Sequence, residues 1–173
     1  MPTNVINLKL VGFKELEERL VGLGPKVAKR LLASAINSAA KPILEGARAG
    51  LTVRFGWLKR SLGVKLKTYK RTDSSTAVAV IGPRRGFRQI INGKPIDPAN
   101  YAHLVEYGTA PHLIKPRLGT IKIGPAFIRG AVHHPGAKKL PFLRPAFDTR
   151  KNESLEILKQ KLGKGIEREA AKR

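Results

Sequence analysis

No cysteine occurs in these 173 residues, which excludes a disulfide framework and thiolate metal sites. Aromatic side chains are also scarce, 6% of the chain with a single tryptophan, against 42% hydrophobic residues in all. A core must then be built from aliphatic and alanine side chains. The length suits one domain, which at this size buries roughly two thirds of the surface its unfolded chain exposes. Apolar runs of about eighteen residues are missing, so no transmembrane helix is expected. The N-terminus, "MPTNVINLKLVGFKELEERL", lacks the basic, then apolar, then cleavable order of a secretory leader. The expectation is a soluble protein without membrane contact.

Acids are the other shortage. Lys and Arg number 34 against 12 Asp and Glu, a formal charge of +22. From Arg48 to Arg144 there are nineteen basic residues and only Asp73, Asp97 and Glu106 as acids. Such a surface attracts nucleic acid, acidic protein faces or anionic membrane through fields that salt screens. Net charge alone does not choose among them.

The periodicity predicts helices at both ends and strands between. Phe13, Leu16, Leu20 and Leu23 make one stripe of a short helix, closed by Gly22, Gly24 and Pro25. A longer helix follows from about Pro25 to about Ala49, with Val27, Leu31, Ala35, Ala39 and Ile43 on its apolar face. Its many Ala and Ser residues allow close packing, and Pro42 predicts a kink or break. Beyond "GLTVRFGWLKRSLG" the period drops to two. "VKLKTYK" reads as a half-solvated strand, "RTDSST" as a turn and "AVAVIG" as a buried strand, together an antiparallel hairpin. Asn92-Gly93 in "RQIINGKPI" marks a second, smaller hairpin.

"PANYAHLVEYG" reads as a short helix with Asp97 as its cap, Pro98 in its first turn and Gly108 after its last. Tyr101, Leu104, Val105 and Gly108 share one face. Residues 110–139 are rich in Gly, Pro and basic side chains. "GTIKIG" and "AFIRGAV" read either as strands of a protruding hairpin or as a segment that a partner orders. The proline-marked "LPFLRPAFD" leads into a terminal helix striped by Leu155, Leu158, Leu162 and Ile166. Gly163 and Gly165 weaken its last turns, and the tail over 163–173 is expected to fray. The whole is expected to be one α+β domain, a long N-terminal and a C-terminal helix packed on a small, mostly antiparallel sheet, behind an N-terminal arm at 1–12.

Catalytic patterns are not evident. His103, His112, His133 and His134 match no metal-ligand spacing, and adjacent histidines rarely hold one ion, so neither metal nor cofactor is expected. Glu106 has no second carboxylate to form an acid–base pair, and an ion pair with an arginine is its expected role. Ser61 lacks a nucleophile-elbow context. "GPRRGFRQ" could hold a phosphate but lacks the P-loop arrangement and a following helix, and reads as a basic loop. Arg84, Arg85 and Arg88 form the densest basic knot, with Phe87 its only aromatic. Modules that read single-stranded RNA carry several stacking aromatics, and no zinc-finger, RNP-like or helix-turn-helix pattern occurs. Backbone contact is the mode of nucleic-acid binding left open.

Three stretches occur in a telling order: "RFGWLKRSL" (54–62) before a basic hairpin ending "VAVIGP", then "YAHLVEYGT" (101–109), then "LPFLRPAFD" (140–148) before a helix. This resembles the tail-component family of tailed bacteriophages known as the gene-product-ten-like proteins of lambdoid phages. The family's "TG-x-L-x-x-S" segment is matched at Gly56, Leu58 and Ser61 but not at its threonine, and 110–139 stands as an insertion. The resemblance implies a non-enzymatic structural protein of the virion neck, assembling as a homo-oligomeric ring around the DNA channel. It would join head-closure or connector proteins to tail-side proteins, or else complete the tail. Candidate contacts to partners or DNA are then Arg84, Arg85, Arg88, Lys115, Arg117, Lys122 and Arg129. Tyr101, Leu104, Tyr107, Gly108, Phe142, Leu143 and Phe147 would form the structural framework, the two blocks packing together. A nucleic-acid-binding protein acting through backbone charge is the alternative, and a metal-dependent hydrolase a distant third.

Overall fold

The computed structural model describes residues 14–70, 75–91, 93–116 and 119–172. The expected arm at 1–12, Phe13, the turn residues 71–74 with Asp73, and Asn92, Arg117 and Arg173 lie outside the described residues. The architecture is α+β, with a long helix near each end and short antiparallel strands between. By contacts the chain divides into two compact units, Met1–Ile43, Val64–Ile81 and Arg150–Arg173 in one, Leu44–Gly63 and Gly82–Thr149 in the other.

In the first unit, α1 (Lys14–Gly22) turns into α2 (Pro25–Ala49) at Gly24, whose φ of 83° suits a residue without Cβ. α2 remains one helix through Pro42, where the sequence predicts a kink or break; Pro42 is itself buried. The final helix, α5 (Leu143–Ala170), runs antiparallel to α2 in this unit. Arg30 Nη2 meets Glu169 Oε1 at 3.0 Å, Leu31 lies against Gly165, and Ser154 Oγ donates to Ala39 O at 2.6 Å. Leu23, Leu31 and Ile166 form a buried cluster with Leu20 and Val27 against it. Ala35, Ala39, Ile43 and Leu162 are buried as well. The small side chains of α2 allow this approach, as their pattern implies.

Gly165 has a packing role that helix propensity does not reveal. A Cβ there would lie 2.9 Å from Leu31 Cδ2, so the missing side chain is what lets Leu31 seat against α5. The helix continues to Ala170, through the segment expected to fray. Gly163, by contrast, would meet nothing within 4 Å.

Among the described residues the strands form four separate two-stranded ladders. β1 (Leu62–Lys70) pairs with β2 (Ser75–Pro83), as the alternation in "VKLKTYK" predicts. "AVAVIG" is not the buried strand expected: Val78 and Val80 are 39% and 45% exposed, while Ala77 and Ala79 are half-buried. A lone two-stranded ribbon leaves one face uncovered, and here the valines fall on it. β3 (Gln89–Ile91) and β4 (Lys94–Ile96) form the second antiparallel hairpin, with Gly93 at φ 75° in its turn.

The second unit is built around buried Ala47, Leu51, Leu58, Leu62, Pro98, Ala102, Val105, Phe142 and Ala146. Leu58 lies within the short α3 (Gly56–Ser61), and Leu62 caps its C-terminal end. Buried Ser61 turns its hydroxyl back onto Leu58 O at 2.8 Å, so it is a satisfied helix-end serine. The capped helix 98–107 is realised as a 3-10 turn, Pro98–Asn100, followed by α4 (Ala102–Tyr107). Asp97 accepts from Ala99 N at 3.0 Å, as its cap position predicts.

The two glycines of α5 therefore have opposite expected responses. Gly163→Ala should stabilise the protein by up to about 1 kcal/mol, because only helix propensity changes. Gly165→Val should cost about 1–3 kcal/mol by overpacking against Leu31. Urea unfolding of both variants checks the pair.

Candidate functional site

The segment 101–109 joins 137–144 through backbone and carboxylate contacts. Buried Glu106, on α4, accepts from three successive amides at the start of α5: Phe142 N at 2.7 Å, Leu143 N at 2.9 Å and Arg144 N at 3.0 Å. A helix start leaves its first N–H groups unpartnered and carries partial positive charge, so a carboxylate from another element satisfies both. The arginine ion pair expected for Glu106 is thus corrected: its partners are main-chain donors. Beside it, Leu140 N donates to Val105 O at 2.8 Å, and Thr109 and Ala137 exchange amide bonds at 3.0 and 3.2 Å. Gly108 makes this approach feasible. Its φ is 72°, and a Cβ there would sit 2.5 Å from Ala137 O.

The expected framework residues divide. Phe142 is 1% exposed, with its Cβ against Gly50. Tyr101, Leu143 and Phe147 are half-buried. Tyr107, at 79% exposed, and Leu104, at 41%, are corrections, since neither lies in the core. α4 is six residues long and buries Ala102, Val105 and Glu106, spaced i, i+3, i+4. A stripe that includes a buried carboxylate is invisible to a search for apolar periodicity. Leu104 and Tyr107 lie on its other side.

The expected contact residues lie in two places. Lys115, Lys122 and Arg129 are exposed on the segment following Gly108, and Arg117 is outside the described residues. This segment is a stepped antiparallel hairpin. β5 (His112–Ile114) pairs with β8 (Val132–His134), and β6 (Thr120–Ile123) with β7 (Ala126–Arg129). Apolar side chains are open along it: Leu113 at 57%, Phe127 at 67%, Ile128 at 38%. His112 and His134 face each other with ring centroids 5.0 Å apart. Among the described residues no three His, Asp or Glu side chains are placed to hold a metal ion.

Arg84, Arg85 and Arg88 are exposed in the loop after β2. Arg84 N donates to Ser61 O at 2.9 Å, and its guanidinium reaches Ser61 O and Arg60 O in longer contacts of 3.4 Å. The carbonyls at the end of α3 carry partial negative charge, which suits a cation there. Asp97 also accepts from Gly86 N at 2.6 Å, tying this loop to the 98–107 segment. The bonds from Ala99 and Gly86, with Arg88 and Arg85 nearby, hold its carboxyl below the ordinary aspartate value.

Phe87 is not alone among the basic residues, which corrects the sequence expectation. Trp57 of α3 lies 5.9 Å from it, the rings tilted by 55°. The Arg60 guanidinium stands 5.5 Å from the centroid of Trp57 and that of Arg84 5.6 Å from the centroid of Phe87. The result is a run of cation, aromatic, aromatic, cation. Thirty residues separate the two rings in the chain, and no local pattern links them.

The family model of the bacteriophage HK97-gp10-like tail components matches residues 14–108, more than half of the chain. The protein is a tailed-phage tail component, and it belongs to this HK97-gp10-like family. No curated protein and no solved structure gives a match. The matched segment ends at Gly108, so α5 and the stepped hairpin lie beyond it.

Two outcomes test this account of the framework. Phe142→Ala should destabilise by about 3–5 kcal/mol, whereas Tyr107→Ala should stay within about 0.5 kcal/mol of the parent. Glu106→Ala should cost about 3 kcal/mol or more by orphaning buried amides, with Glu106→Gln losing roughly half as much because one neutral acceptor remains. Equilibrium urea unfolding, with similar slopes for parent and variants, reads all four.

Proposed function

We propose that this tail component is a structural protein of the virion neck, assembling with copies of itself around the DNA channel and joining head-side to tail-side proteins. The stepped hairpin is the observation that carries this reading. A two-stranded ribbon with Leu113, Phe127 and Ile128 open to solvent is marginal by itself and gains stability when a neighbour covers it. Repeated contacts of this kind between unlike surfaces close into a ring when the rotation allows. Lys115, Lys122 and Arg129 along the same hairpin suit an acidic neighbouring face. A role in assembly requires no catalysis, and none is assigned.

Electron microscopy of particles made without the gene tests this. DNA-filled heads accumulating beside separate tails, joined when the protein is supplied, is the expected outcome. Filled heads beside visibly abnormal tails would move the protein to tail completion. Intact virions would refute the assignment.

A further inference from the structure

A cavity of ≈ 670 Å³ opens at the end of α2 and along α3, lined by Arg48, Leu51, Thr52, Gly56, Lys59 and Arg60. Three of its six lining residues are cations and none is an acid. Arg48 is held in place by its bond to Leu62 O at 2.8 Å. Its Nε is buried and has no hydrogen-bond partner among the described residues. Arg60 is shared with the aromatic run, where it stands over Trp57. The four acids of this unit, Glu45, Asp97, Glu106 and Asp148, do not line the cavity, and Asp97, Glu106 and Asp148 are bonded elsewhere.

From this arrangement we infer that the cavity and the adjoining Arg60–Trp57–Phe87–Arg84 run form a binding site for the phosphodiester backbone of duplex DNA. The cations continue from the cavity through the two rings to Arg84, which suits a ligand whose negative charge repeats along its length. Arg48 and Arg60 are positioned before binding, one by a carbonyl and one by a ring face, so little ordering is left for the ligand to impose. No groove-reading helix or strand accompanies them, and the site should be indifferent to base sequence. The inference rests on the neck reading only for where DNA would be met. Binding by the purified chain stands or falls separately from the particle experiment above.

Trp57 is the only tryptophan in the chain, so its emission reports this site alone. The test titrates the full chain with a labelled mixed-sequence duplex of about 20 base pairs over a salt series, following label anisotropy and Trp57 emission together. The two signals should saturate at the same duplex concentration. Lys59→Gln with Arg60→Gln should reduce the slope of log affinity against log salt by about 2, since each released phosphate contact contributes about 0.9. Lys151→Gln with Lys159→Gln, equal in charge change and exposed on α5, should leave the slope unaltered. Thr52→Glu, an exposed substitution in the cavity wall, should weaken binding at least tenfold. Anisotropy that rises while Trp57 emission stays constant would overturn the inference, as would equal slope changes in the two double variants. Stronger Trp57 perturbation by poly-glutamate than by the duplex at equal charge would also overturn it, in favour of an acidic polypeptide ligand.

Discussion

The carboxylate of Glu106 under the first amides of α5 is the contact around which the second unit is arranged. Three main-chain donors converge on two oxygens, so the position of α4 and the start of α5 are settled together. Phe142 contributes one of those amides and also fills the core beside Gly50, which couples the polar contact to apolar burial. The antiparallel bridge at Thr109 and Ala137 begins where α4 ends, and Gly108 lets the two backbones approach. The stepped hairpin begins at that point. A buried carboxylate without such donors would be heavily penalised, and donors at a buried helix start without an acceptor equally so. Each half of the contact therefore requires the other.

The rest of the charge is arranged differently. With acids so few, most basic side chains cannot be neutralised within the chain, and the ion pairs among the described residues, such as Arg30–Glu169, Arg144–Asp148 and Lys172–Glu169, involve exposed cations. Where cations are held in place, ring faces and carbonyls do the holding, as at Arg60, Arg84 and Arg48. A guanidinium over a ring or against a carbonyl keeps its charge and its remaining donors.

Long, strongly periodic elements were legible from sequence alone. The α2 face of Leu31, Ala35, Ala39 and Ile43, the Leu162 and Ile166 positions of α5, the β1–β2 pair and the hairpin at Gly93 follow from local rules of spacing and turn chemistry. The kinship was legible too, because its motifs are contiguous. Tyr107 and Leu104 were misplaced because the face of α4 is chosen by a carboxylate. Val78 and Val80 were misplaced because β-propensity does not say whether a second layer covers the strand. Gly165 reads as a weak point in a helix until Leu31 is seen beside it.

Sequence by itself determined the class of fold, the positions of its helices and hairpins, the excess of positive charge and the family. Each of these depends on neighbours within a few residues or on composition. Tertiary structure decided the partner of Glu106, the meeting of Trp57 with Phe87, and which apolar side chains stay open on the stepped hairpin. Those outcomes join residues some thirty or more positions apart, or depend on what does not cover a surface, and neither is written in any local pattern of the chain.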